Sequence, residues 1–282
     1  MGQSSRIPAI DEQFAALGPA IARERQRISE ERMFARLWQR DHTLWKDDPR
    51  GIVDRLGWLD CPAAMPAALP ELERFAQQVR DAGLTHALLL GMGGSSLAAE
   101  VMRRMLGVRA GFLDLAILDS TDPATIAQRA ARSDPARTLF IVATKSGGTV
   151  ETLSFLHYFY TRLRDGLGAE GAGQRFVAIT DPDSRLDHLA TELGFRRTFR
   201  NDPEIGGRFS ALSYFGLVPA ALIGADLSGL LQGGARMAEF CREADSDVRE
   251  PHPVASLAAA LAAGTRAGRD KLTLIGSPRL AP

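Results

Sequence analysis

Three short segments of this chain combine glycines, hydroxyls and one arginine in patterns that suit an anion. The first is GMGGSS, Gly91–Ser96. It ends an apolar run and opens a helical one. Its glycines let the backbone turn sharply and approach a ligand, and the helix start offers free N–H groups and a partial positive charge. The second is ATKSGGTVET, Ala143–Thr152, with the hydroxyls of Thr144, Ser146 and Thr149 around Gly147 and Gly148. Thr149 is placed as an N-cap, and Lys145 either adds charge or snorkels at the rim. The third is PEIGGRFSALSYFG, Pro203–Gly216, where Gly206 and Gly207 permit a tight approach and Arg208 directly precedes an apolar helical run. A cation at a helix start opposes the macrodipole, and a residue set against local preference is a candidate functional group. Taken singly, the second segment also reads as ordinary turn chemistry, and Arg208 as an exposed or ion-paired arginine.

Other chemistries fit less well. A dinucleotide fingerprint needs a third glycine or alanine where Ser96 stands, and Asp119 lies beyond the usual ~20-residue spacing of a ribose-binding acid. No GxxxxGK[ST] occurs. Cys61 and Cys241 are far apart and neither lies in a CxxC, which argues against zinc and for a reduced, cytoplasmic setting. His42, His86, His157, His188 and His252 fall at positions that suit structural or surface roles. Glu151 and Glu204 are the acids nearest the motifs, and Glu151 reads as a helix-dipole partner that orients its loop.

The elements that would position these segments alternate. Apolar runs at 85–91, 115–119, 138–144, 175–180 and, more weakly, 195–201 read as strands, with helical stretches between them. That rhythm predicts an α/β fold, a three-layer αβα sandwich on a parallel flavodoxin-like sheet, preceded by a helical lead-in. In the order 2-1-3-4-5, strands 1 and 3 are neighbours whose connections leave in opposite directions. The first two segments then line one crevice. Ile10 to Trp45 reads as long helix interrupted near Gly18-Pro19, and the prolines from Pro49 to Pro70 argue against regular structure after it. KLTLIG, 271–276, reads as a sixth strand. It is either an edge or loose tail, or the first strand of a further domain.

With 34 acidic and 34 basic residues, the chain gives no electrostatic reason to expect nucleic acid or an anionic membrane as partner. The polar start MGQSSRIPAIDEQF lacks the apolar core of a signal peptide, and no run approaches the roughly 18 apolar residues of a spanning helix.

In their order the three segments resemble the phosphoglucose isomerase family, with GGRFS the most specific match. LWQRDHTLWKDDPRGIVDRLGWLD is similar to the isomerase part of bifunctional transaldolase/phosphoglucose isomerases. The resemblance implies an aldose–ketose isomerase that interconverts glucose 6-phosphate and fructose 6-phosphate. It implies no metal or organic cofactor, and a homodimer in the intact enzyme. It matches Gly94 and Ser95 to a loop contacting the sugar phosphate. Thr144, Ser146 and Thr149 match phosphate-cradling hydroxyls, with Lys145 contributing mainly through its backbone. Gly147-Gly148 stand where bulkier residues are common. Arg208 matches an arginine that stabilises charge on the substrate oxygens during enediol formation. The implied base is a glutamate in an E-S-x-G-K-like segment past KLTLIG, so the chain is expected to be a C-terminally incomplete isomerase. A non-catalytic sugar-phosphate-binding module is the other reading. The expected division is a lead-in and linker over 1–65, a first sugar-isomerase domain over 66–245 and the start of a second over 246–282.

Overall fold

A computed structural model describes residues 17–245 and 252–277. The polar start, the beginning of the expected lead-in helix and the last five residues lie outside them. The chain divides into two compact units, one of residues 54–234 and one of residues up to 53 with 235–277.

The larger unit is built on one parallel sheet in the order β2-β1-β3-β4-β5. The strands are β1 His86–Gly91, β2 Asp114–Leu118, β3 Thr138–Ala143, β4 Phe176–Thr180 and β5 Arg197–Arg200. β3 and β4 are buried at every position, as strands covered on both faces must be. Alternation assigns Leu89, Ile141 and Val177 to one face, with helices Leu69–Asp81, Leu97–Leu106 and Tyr214–Leu222. Leu88, Phe140, Val142 and Ala178 go to the other, with helices Pro123–Arg132, Val150–Gly173 and Arg185–Glu192. This is the αβα sandwich expected from the sequence. β1 and β3 pair in register from His86↔Thr138 to Gly91↔Ala143, so their C-terminal ends lie side by side. The helix after β1 packs on the first face and the helix after β3 on the second, which opens the crevice at the switch point.

The smaller unit joins helix Gly18–Glu30 to helix Pro253–Arg266 through Ile21, Ile28, Ala255, Ala259 and Ala263.

Three expectations need correction. The lead-in is not one helix after Gly18-Pro19, because Arg32 and Arg40 take left-handed φ values of 49° and 58° and break it. The proline-rich stretch is more regular than expected. Pro62, Pro66 and Pro70 sit in the first turns of Cys61–Ala64, Met65–Ala68 and Leu69–Asp81, where a missing N–H costs nothing. KLTLIG forms no strand. Without a neighbouring strand to bond, Leu272, Leu274 and Ile275 are 65%, 84% and 95% exposed.

Phe140 packs between Phe159 and Phe176, with ring centroids at 5.0 and 5.1 Å. Phe140→Ala is expected to cost about 3–5 kcal/mol in urea unfolding. A loss under about 1 kcal/mol would contradict this account of the core.

Candidate functional site

All three segments lie at the C-terminal edge of the sheet, within the larger unit. The first leaves β1 as a tight turn over Gly93–Ser95, with Gly93 at φ +53°. Ser96 is buried, and its hydroxyl donates to the Gly93 carbonyl at 3.1 Å. A Cβ on Gly94 would lie 2.4 Å from the carbonyl carbon of Gly207 and 3.0 Å from the amide nitrogen of Arg208. Only glycine allows that approach, so the first and third segments touch backbone to backbone. Ser210 locks the contact, its Oγ lying 3.2 Å from the Gly94 carbonyl and 2.7 Å from that of Gly207.

The second segment folds back on itself. The Oγ1 atoms of Thr144 and Thr149 are 2.9 Å apart, and Ser146 Oγ accepts from the Gly148 amide at 3.3 Å. Thr149 stands at the N-cap of the helix Val150–Gly173, yet its side chain makes no capping bond. The expected cap is therefore replaced by the threonine pair. This leaves the first-turn N–H groups of a long helix without a side-chain cap, at the place where the hydroxyls gather. Gly147 takes φ +67°, and a Cβ there would lie 2.5 Å from the Leu186 amide nitrogen. The loop thus presses on the start of helix Arg185–Glu192, which Ser184 caps by accepting from Asp187 at 3.1 Å. The carboxyl of Asp187 is held below the usual range by its bond to Arg200 at 2.9 Å, against the effect of burial.

Lys145 is mostly buried and does not stand alone. Its Nζ donates to Asp181 Oδ2 at 2.5 Å and to the Pro203 carbonyl at 2.6 Å. Burial pushes the Asp181 carboxyl up, and Lys145 pulls against it.

The third segment is anchored along its length. Buried Asn201 accepts from the Tyr214 amide at 3.2 Å, Glu204 accepts from the Gly57 amide at 2.9 Å, and Ile205 bridges to Leu56. Phe209 stacks on Trp58 with centroids 5.2 Å apart. Arg208 does not directly precede the apolar helix as expected. A 3-10 turn, Gly207–Leu212, intervenes, and the apolar helix begins at Tyr214 under a Ser213 cap. Arg208 therefore does not oppose a helix macrodipole. What marks it is that its side chain is exposed and has no ion pair among the described residues.

Gly94, Lys145 and Arg208 thus belong to one connected set, with Thr144, Ser146 and Thr149 in the same loop as Lys145 and Ser95 in the same turn as Gly94. Sequence reasoning missed Asp181, Asn201, Ser210 and Trp58. Asp181 had a legible signal, since it directly follows β4 at the same sheet edge. The others are revealed only by long-range contacts. No group of three or more His, Cys, Asp or Glu suited to a metal ion occurs among the described residues, and no helix among them is long and apolar enough to cross a membrane. Cys61 and Cys241 are free, and burial pushes the Cys61 thiol up to about 12, which makes it a poor nucleophile.

Known proteins with this architecture point one way. A glucose-6-phosphate isomerase of Carboxydothermus hydrogenoformans is 35% identical over 66% of this chain and 42% of its own length. One of Thermus thermophilus is 31% identical over 83% of this chain and 51% of its own. The chain therefore spans about half the length of the curated relatives it matches. A crystal structure of a hypothetical protein from Thermus thermophilus superposes with a TM-score of 0.66 at 31% identity, over 92% of this chain and 55% of that one. The glucose-6-phosphate isomerase of Chlamydia trachomatis shares the fold at a TM-score of 0.59 and 24% identity, over 83% and 42%. The family model for phosphoglucose isomerase matches residues 69–263, which take in the whole sheet and all three segments. By that match and those identities, the chain belongs to the phosphoglucose isomerase family.

Proposed function

We propose that the crevice binds the phosphate of a hexose 6-phosphate and that this chain supplies the sugar-phosphate-binding part of a glucose-6-phosphate isomerase. The observation that carries the reading is the backbone contact of Gly94 with Gly207 and Arg208. It joins an arginine free of ion pairs among the described residues to the glycine turn at the switch point.

The chemistry follows from the groups available. Thr144, Ser146 and Thr149, with Ser95 across the crevice, offer hydroxyl donors. The uncapped start of helix Val150–Gly173 adds N–H groups and a positive field. Such a set favours a phosphomonoester dianion without needing a metal. Arg208 would meet oxygens on the sugar end, where negative charge grows as an enediolate forms. A fixed guanidinium stabilises that state more than the ground state. Aldose–ketose exchange also requires a carboxylate that carries a proton between C1 and C2. Binding and charge stabilisation fall to the residues named here, and proton transfer to the part of the family's length that this chain does not span. The sheet-bearing unit, residues 54–234, is the proposed sugar-isomerase domain; its bounds differ from the expected division at 1–65, 66–245 and 246–282. A cytoplasmic homodimer remains the expected state of the intact enzyme.

Fructose 6-phosphate is expected to raise the melting temperature of the chain. Thr144→Val with Ser146→Ala should weaken its binding at least about tenfold, since each hydrogen bond to a charged group contributes about 1.5–3 kcal/mol. An equal shift in the double variant would remove the cradle from the account. A coupled assay from fructose 6-phosphate to glucose 6-phosphate should show no turnover where the melting shift shows binding. Turnover lost in Arg208→Ala would instead place a working base within these residues.

A further inference from the structure

The ammonium of Lys145 sits between two elements that the phosphate loop does not contain. On one side is Asp181, the first residue after β4, whose Oδ2 is 2.5 Å away. On the other is the carbonyl of Pro203, where the Arg208-bearing segment begins, at 2.6 Å. An ammonium has three N–H donors and these contacts occupy two. The Lys145 backbone is held by the same neighbours. Its carbonyl accepts from the Asp181 amide at 3.1 Å and from Thr180 Oγ1 at 3.2 Å. The pair is poorly hydrated, with side chains 23% and 16% exposed, so it is screened far less than a surface bridge. Asp181 Oδ1 has no partner among the described residues, where Lys145 is the sole cation bonded to that carboxylate. Asp202 and Arg55 also face Asp181, with opposing effects on its charge.

We propose that Lys145 and Asp181 form an ion-paired strut that holds the Arg208 segment against the hydroxyl loop, so that the Lys145 side chain is a positioning residue and not a phosphate ligand. This rests on reading the three segments as a sugar-phosphate site, but the strut itself can be tested without any ligand. Pro203 is a suitable anchor because its ring fixes φ, and a bond to its carbonyl sets the direction in which residues 204–208 leave. The remaining ties of that segment, to Gly57, Leu56, Gly94, Trp58 and Asn201, lie further along it. Removing the strut therefore frees the stem of the segment and leaves its far end attached.

Two measurements on the full chain test this. In hydrogen–deuterium exchange without ligand, Lys145→Met should speed exchange of the amides of 204–210 at least about tenfold and leave β1 and β3 unchanged. Lys145→Arg, which can still bridge both acceptors, should restore most of the protection. Unchanged exchange over 204–210 would overturn the strut whatever the site binds. The second measurement is a double-mutant cycle on fructose 6-phosphate affinity. A lysine that acts only through Arg208 makes the cycle non-additive, so Lys145→Met should weaken binding in the native background and have no effect in Arg208→Ala. An equal loss in both backgrounds would make Lys145 a direct phosphate ligand and overturn the proposal. If the native chain binds no fructose 6-phosphate, the sugar-phosphate reading fails, and the exchange result alone decides the strut.

Discussion

The site depends on how closely two backbones approach at Gly94 and Gly207. A hydrogen in place of a side chain brings the turn after β1 within contact of the turn that carries Arg208, although more than a hundred residues separate them. Several contacts around the crevice support that approach. The Ser210 hydroxyl bridges the two carbonyls, Trp58 covers the neighbouring Phe209, and Asn201 fixes the start of the helix behind. A parallel sheet gives the first two loops a common edge without further help, because β1 and β3 are adjacent. It gives no such guarantee for the third segment, which comes after the last strand and must be pinned by contacts of its own.

That difference explains what the sequence could and could not tell. The strands of the buried sheet were legible because a strand covered on both faces reads as an unbroken apolar run, and their order followed from the alternation with helices. The pairing of the first two loops followed from that order. The third segment was legible only through the glycines and arginine of GGRFS. Why it lies where it does depends on Lys145, Gly57 and Ser210, and no local pattern announces those partners. Thr149 and Arg208 both depart from what their local sequence implies. Thr149 occupies an N-cap but bonds Thr144, and the dipole argument for Arg208 assumed a helix that begins six residues later. In both cases a loop of the candidate site departs from the local preference that ordinary helix starts obey.

KLTLIG shows the limit from the other direction. Its composition is that of a strand, but a strand exists only where a neighbour supplies the ladder. Exposed as Leu272, Leu274 and Ile275 are, the segment keeps the composition without the structure. Relatives about twice as long match this chain in sequence over 66% and 83% of its length. In the proposed reading, the crevice described here recognises an anion and holds a cation beside it.

The most direct test of the central claim is Gly94→Ala, with fructose 6-phosphate affinity measured by calorimetry and the fold checked by circular dichroism and urea unfolding. A methyl group there meets backbone, which cannot swing aside, so the third segment must move away from the first. The account predicts a folded protein whose affinity falls at least about tenfold, the loss expected when one charge-assisted contact is displaced. A folded Gly94→Ala variant that binds as tightly as the native chain would contradict it.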